Sequence, residues 1–235
     1  MEIRIYDKNL YRKGQIENQT SMIWTRKFFE PGEFELHAPI TDVNLSLLAA
    51  GNIISMKGAK EAGVIEDIEK EESDVKNEIT VKGRFLNAYM DRRILKTVIN
   101  YSGKIEDAIR YLYAQCTQIP LVNVADPVGY EDTISFQTMF KNLLEVEDNL
   151  SKAGLIGIRF RPDFLNHKII FETYKGVDHS TAQGIRNRVI FSESYNNLSN
   201  AIYKYNDQAL KTVAIVGGEG EGAARKLITV GSELS

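Results

Sequence analysis

Residues 21–40 read SMIWTRKFFEPGEFELHAPI. A run rich in aromatic and β-branched residues leads into Glu30-Pro31-Gly32-Glu33. There Pro31 and Gly32 take the second and third positions of a type II turn. Beyond it Phe34, Leu36 and Ala38 fall on one side of an extended chain, with Glu35 and His37 on the other. The spacing predicts a hairpin over residues 21–38.

Strand signals continue on both sides. Upstream, EIRIYD alternates, with Ile3 and Ile5 on one face. Downstream, NIISMKG reads as a short strand. AGVIEDIEKEE and NEITVKGRF flank SDVKN as a second hairpin. Plain alternation puts Val64, Glu66, Ile68 and Lys70 on one face of its first arm. Ile65, Asp67 and Glu69 take the other. Several short strands at this spacing predict a barrel or sandwich.

The pattern changes near residue 100. Ile105, Ala108, Ile109, Leu112, Tyr113 and Cys116 recur at helical spacing, with Ser102 as the expected N-cap and Pro120 beyond the end. A second helix is expected from Phe136 through Met139, Phe140, Leu143, Leu144 and Leu150, stopping at Gly154. Two strands then surround PDFLNH, the second from Ile169 to Tyr174. From residue 186 the alternation returns in RNRVIFSESYNNLSNAIYKYND, QALKTVAIVGG and RKLITVG. The chain stops directly after a strand, as a C-terminally shortened chain would.

The 235 residues are 43% hydrophobic and 26% charged, which is ordinary globular composition. The net charge of −3 gives no bulk electrostatic case for nucleic-acid binding. Cys116 stands alone, so no internal disulfide forms. The N-terminus MEIRIYDKNLYRKG lacks the apolar segment of a secretory signal. No window approaches 18 apolar residues, so no membrane span is expected, and the chain reads as soluble.

VGGEGEG at 216–222 has P-loop glycine spacing in Gly217 and Gly222, but Ala223 and Ala224 stand where Lys and Ser or Thr must be. Glu219 and Glu221 put negative charge where phosphate would lie. Gly218, Gly220 and Ala223 fit a loose dinucleotide pattern, yet the alternating RKLITVG follows instead of a helix. A glycine-rich connector between antiparallel strands is expected, with no cofactor. His37, His167 and His179 are not at ligand spacing, so no metal is expected. His37 is expected to be solvated and His167 to lie in a turn. The acidic run EDIEKEESD lacks the spacing and glycine of a calcium loop. Cys116 on an apolar stripe reads as a buried, inert thiol. No serine stands in G-x-S-x-G, and no carboxylate pair is singled out among 32 acidic residues. No catalytic residue is assigned. Trp24, Phe28 and Phe29, and later Tyr195, Tyr203 and Tyr205, could form a sugar-binding row, with at least half of each set expected in the core. Lys82, Arg84, Arg92, Arg93 and Lys96 form a basic stretch beside the acidic hairpin. It reads as a solvated surface with local ion pairs, or as a polar subunit interface that could close a ring.

Four stretches carry a family likeness: IRIYDKNL, SMIWTRKFFEPGEFELHAP, AGVIEDIE, and RVIFSESYNNLSNAIYKYND with TVAIVGGEGEGAAR. In this order and spacing the chain resembles the tail-hub, or baseplate-hub, proteins of siphophages and prophages. The resemblance implies an α+β fold of β-barrel-like domains with an inserted helix-containing unit. Residues 1–98 would be a β-barrel-like tube domain, 99–185 the α+β insertion, and 186–235 a returning β segment that completes a second β domain, shortened at its C-terminus. It also implies a structural, non-enzymatic homotrimer in the virion tail, assembled in the host bacterial cytoplasm. The ring would join tail tube to tip. Its expected partners are a distal tail protein, a tape measure protein, and a tail fibre or spike. DNA would pass through the channel without stable binding. The alternatives are a host-surface carbohydrate-binding module and, further off, a cell-wall hydrolase.

Overall fold

Strand pairing in the computed structural model follows the hydrophobic alternation closely at the N-terminal end. The structure describes residues 2–74, 77–116, 119–198 and 200–231. Seven strands form one antiparallel sheet: β1 (Ile3–Tyr6), β2 (Arg12–Ile16), β3 (Ser21–Thr25), β4 (Glu33–Pro39), β5 (Ile53–Met56), β6 (Ala62–Glu72) and β7 (Asn77–Phe85). Their order is β2-β1-β5-β6-β7-β4-β3, which leaves β2 and β3 at the ends. No ladder joins those two strands among the described residues. A short helix, α1 (Asp42–Leu47), follows β4. The Thr41 side chain caps it, accepting a hydrogen bond from the Asn44 amide at 3.1 Å.

The hairpin forms, but not with the expected turn. β3 stops at Thr25, so Phe28 and Phe29 lie in a long connection rather than in the strand. Gly32 does not take the positive φ of a type II turn. It is glycine for a different reason: a Cβ there would sit 2.4 Å from both the Thr25 carbonyl and the Phe85 ring. The Gly32 carbonyl accepts the Phe85 amide at 2.7 Å, fixing the connection against β7.

β6 departs from plain alternation. Ile65 faces Gly83, and the next paired residue is Asp67, facing Lys82. Glu66 is therefore a β-bulge, two residues on one strand opposing one step on the other. The bulge reverses the faces beyond it. Ile68 joins Ile65 in packing beside Ile79 and Val81, rather than sharing a face with Val64 as strict alternation requires.

Two apolar cores flank the sheet. One face buries Ile3, Ile5, Leu36, Ile54, Ile65 and Val81 with Leu47 and Leu48 from the α1 region. The other packs Ile53, Ala62 and Val64 against the elements that follow. A 3₁₀ segment, Leu86–Arg92, leads to β8 (Ile99–Lys104) and α2 (Ile105–Gln115), then β9 (Val122–Val124), β10 (Thr133–Thr138), α3 (Leu143–Gly154), β11 (Ile156–Asp163) and β12 (Lys168–Lys175). β8 pairs with β10. β11 and β12 form the expected hairpin, and β9 adds in parallel to β12. Phe160 and Phe171 from that hairpin lie 5.4 Å apart at the centre of this core.

Both helix starts differ from expectation. Ser102 is not a cap: it sits in β8 with its hydroxyl 2.7 Å from that of Ser135 on β10. α2 begins three residues later, after Lys104. Phe136 belongs to β10, because that strand finds a partner in β8. α3 starts only at Leu143, where the Asn142 side chain accepts the Glu145 amide. It ends at Gly154 as expected, although the left-handed residue is Leu155 at φ 48°.

The chain divides into two units, residues 1–177 and 178–235. Among its described residues the second contains one hairpin, β13 (Val213–Gly217) paired with β14 (Leu227–Gly231). The expected strands over 186–207 do not form among the described residues, which make only a 3₁₀ turn at Glu193–Tyr195. Alternation makes a strand only where a neighbouring strand supplies hydrogen bonds. Ile185, Phe191, Ile202 and Tyr203 are all exposed here.

Candidate functional site

Ion pairs and aromatic rings concentrate where the sheet meets the β11–β12 hairpin. Arg26 from the β3–β4 connection contacts Glu61 at 3.1 Å, and Glu61 lies 3.8 Å from Arg159 of β11. Arg159 also pairs with Glu172 at 2.6 Å, and Arg161 reaches the other Glu172 oxygen at 3.3 Å. The Arg159 guanidinium stacks 4.6 Å above the Tyr174 ring. Burial raises the Tyr174 phenol above its ordinary pKa. A cleft of about 490 Å3 opens here, with Phe28, Phe85 and Tyr174 among its walls. Its half-buried charges are mostly engaged with one another, so the cleft offers aromatic surface and positioned polar edges. It contains no poised acid-base pair.

The basic stretch resolves mainly into pairs within the chain. The bulged Glu66 accepts from Arg84 at 2.8 and 3.1 Å and from Arg92 at 2.8 Å. Arg84 also reaches Asp91 at 2.9 Å, and Lys82 pairs with Glu35 at 3.2 Å. The bulge thus turns an acid toward two arginines that follow on β7 and the 3₁₀ segment. Burial opposes ionisation of Glu66, but the two arginines hold its carboxyl below the usual range.

Two buried carboxylates have opposite surroundings. Glu106, in the first turn of α2, is 1% exposed. It accepts the amides of Val128, Gly129 and Tyr130 at 2.7–3.0 Å and the Thr173 hydroxyl at 2.5 Å. Burial pushes its pKa up, yet these bonds outweigh it and the carboxyl lies below its ordinary value. Its role is structural: it holds the loop after β9 against β12.

Glu147 on α3 is fully buried, and neither carboxyl oxygen has a hydrogen-bond partner among the described residues. Burial first, then the neighbouring Asp148, raises its pKa well above 4.5. The folded state therefore holds a proton that the unfolded chain releases. Stability from this group is full below pH 4.5 and falls as pH rises toward the folded pKa. Glu147→Leu should raise the unfolding free energy at pH 8 by roughly 1–3 kcal/mol and flatten the decline between pH 5 and 8. Chemical denaturation of both proteins across that range checks it.

The residues singled out in the sequence disperse. VGGEGEG connects β13 to β14 with a 3₁₀ turn at Gly222–Ala224, and no helix follows. Gly220 and Gly222 have positive φ. His37 is only partly exposed: its ring lies 2.7 Å from Glu35, two residues back on the same face of β4, and 3.1 Å from Glu78 on the neighbouring β7. These bonds raise its pKa. His167 sits in the β11–β12 turn against Tyr11, and His179 lies near the Asn187 carbonyl. No three metal-ligating side chains gather among the described residues. Cys116 is buried at the end of α2, and burial raises its thiol pKa. Trp24 packs on Phe34 and Phe85, so it serves the core. Tyr195, Tyr203 and Tyr205 are all exposed, against the expectation that half would be buried. No helix among the described residues is long and apolar enough to cross a membrane. Sequence reading missed Glu106 and Glu147. One sits at helical spacing beside Ile105 and the other among apolar residues, and neither position announces its surroundings.

The fold has relatives among solved structures. A prophage tail protein, gp18 from Listeria monocytogenes EGD-e, superposes with TM-score 0.63 at 14% identity, covering 99% of this chain and 68% of that one. The 43 kDa tail protein of prophage MuSo2 from Shewanella oneidensis superposes with TM-score 0.54 at 12% identity, covering 99% and 69%. At these identities the likeness is one of fold. No curated protein matches the chain by sequence. The family model described as Siphovirus ReqiPepy6 Gp37-like protein matches residues 2–235. That match spans nearly the whole chain, and the protein belongs to the Siphovirus ReqiPepy6 Gp37-like family.

Proposed function

We propose that this chain is a structural tail hub, a homotrimeric ring that joins the tail tube to the tip. The family match over residues 2–235 carries the reading. In this arrangement residues 1–98 form a barrel-like tube domain, 99–185 an α+β insertion, and 186–235 part of a second β domain. A distal tail protein, the tape measure protein, and a fibre or spike are its neighbours, and DNA passes through the channel. The chain acts without catalysis or cofactor, in keeping with a buried Glu106 that holds structure and a lone buried thiol.

The exposed apolar residues of the second unit add support. A two-stranded hairpin is marginal alone, and Ile215, Ile228 and Val230 of β13–β14 are more than half exposed. Assembly would cover such a surface. Light scattering of the purified protein over a concentration series should reveal particles of three chains. A single chain per particle at every concentration would count against the ring.

The aromatic cleft favours a second reading, a carbohydrate-binding tail module. Phe28 and Tyr174 line the cleft, whereas Trp24 is occupied in packing. Saturable glycan-array binding that disappears in Phe28→Ala would support this reading.

A further inference from the structure

The aromatic cleft is one part of a longer feature. Gly58 and Lys60, from the β5–β6 connection, line both the cleft and a second hollow of about 300 Å3 beside it. Met56, Pro162 and Phe164 give the hollow apolar surface, and no carboxylate lines it. Gly58 forms the saddle between the two. Its φ of 84° favours glycine, and a Cβ there would meet nothing within 4 Å. The saddle is therefore low and bare.

Charge along the two hollows is unbalanced. Arg26 and Arg159 share Glu61, and Arg159 and Arg161 share Glu172. Arg4 and Lys57 share Glu2 at 2.5 and 2.9 Å. Lys60 is exposed and takes part in no hydrogen bond or ion pair among the described residues. Lys27 and Glu30 are matched by Glu33 and Lys152. Apart from those two, six cations line the strip, and only three carboxylates answer them. This local excess stands in a chain whose net charge is −3. The three acids hold five of the cations in place without neutralising them all, and Lys60 stays available. Cations of one sign along partly apolar walls focus a field that attracts anions.

Resting on the carbohydrate-binding reading of the cleft, we propose that its ligand is an acidic polysaccharide, with carboxylate or phosphodiester groups on its sugar units. One unit lies in the cleft against Phe28 and Tyr174. The chain crosses the Gly58 saddle, where Lys60 meets its negative charge, and the next unit enters the hollow over Phe164. Such a polymer offers apolar ring faces, hydroxyls for the edges of the ion pairs, and charge for the surplus cations. A single-stranded nucleic acid fits less well, because it needs open aromatic faces for stacking. Arg159 covers a face of Tyr174 at 4.6 Å, and Phe28 meets that ring at 84°.

A glycan array probed with the full chain tests this, using carboxylate-bearing and phosphate-bearing glycans beside their neutral counterparts. The acidic glycans should be retained in preference to the neutral ones, and the preference should shrink as salt rises. The two acidic sets show which group the site takes. Lys60→Gln should weaken binding of the acidic glycans roughly ten-fold and leave the neutral ones unchanged, whereas Lys60→Arg should keep most of the binding. Phe28→Ala should weaken both. Lys60 is exposed and unpaired, so neither replacement should move the thermal midpoint. Equal retention of acidic and neutral glycans overturns the proposal and leaves the carbohydrate reading intact, as does an acidic preference that survives Lys60→Gln. Poly-glutamate or a single-stranded oligonucleotide bound as tightly as the acidic glycans also overturns it, in favour of a general polyanion surface. Retention of no glycan overturns both readings.

Discussion

Gly83→Ala should lower the thermal midpoint by roughly 6–12 °C, the equivalent of about 3 kcal/mol for a unit of this size. A Cβ at Gly83 would lie 1.8 Å from the Val64 carbonyl oxygen and 2.9 Å from the Phe34 ring. The first neighbour is backbone and cannot rotate away. The second is wedged over Gly63, where a Cβ would meet the same ring at 2.5 Å. Phe34 thus rests on two glycines from adjacent strands: a methyl at Gly83 must push β6 and β7 apart next to the bulge, and one at Gly63 must displace the ring. Both apolar cores meet this part of the sheet, so the displacement costs packing on each face. Gly184→Ala is the matched control. Its Cβ meets nothing within 4 Å, and the midpoint should move by less than about 0.5 kcal/mol equivalent. Differential scanning fluorimetry of the two variants against wild type reads both outcomes. An unchanged midpoint in Gly83→Ala would contradict the close approach of Val64.

Glu106→Ala should cost about 3–5 kcal/mol. It removes one carboxylate from four donors at once: three consecutive amides and the Thr173 hydroxyl. Those amides belong to a loop with no strand of its own, so no other acceptor replaces Glu106. Glu106→Gln should recover less than half of the loss, because its amide nitrogen meets donors where an acceptor is needed. The pH dependence has a definite sign. The folded pKa lies below the ordinary value of 4.5, so the stabilisation is present above pH 4.5 and disappears as pH falls through the folded value. Glu147 slopes the other way over its own window, upward from pH 4.5. Urea denaturation at pH 3.5, 5 and 8 separates the two: Glu106→Ala should narrow its deficit in acid, while Glu147→Leu should widen its advantage in base. A Glu106→Ala deficit that stays constant with pH would remove the carboxylate from the explanation.

Alternating apolar residues made the sheet legible from sequence wherever a strand had partners on both sides. Ile3 and Ile5, Phe34 and Leu36, and Ile79 and Val81 all lie inward, as their spacing requires. The β11–β12 hairpin and the glycine-rich connector were equally plain. What escaped depended on contacts distant in sequence. Phe136 has the spacing of a helix and becomes a strand because β8 lies beside it. Residues 186–207 have the spacing of strands, and no ladder forms among those described because no neighbour supplies one. Glu66 reads as one more alternating residue until Arg84 and Arg92 draw it out of register. The charged and aromatic surfaces were visible as residue types, but their pairing was not. Arg159 and Tyr174 stack across a hairpin, and Arg26 reaches Glu61 from a separate connection.

The bulge at Glu66 also separates two design problems that a single long strand would combine. Inside it, each residue of β6 answers to two packed cores, and a change of one position moves an apolar side chain to the wrong layer. Outside it, β6 answers to β7 alone, while β7 stays paired with β4 as far as Glu78 and holds Ile79 and Val81 in the core. Adding or removing one residue pair beyond Glu71 and Glu78, one on each arm, leaves every inward side chain in place and changes only how far the ribbon reaches. Reach and composition of the arm can therefore drift between related tails while the sheet beneath stays fixed. Insertions in steps of two, distal to Glu71, are the length changes this fold accommodates most readily.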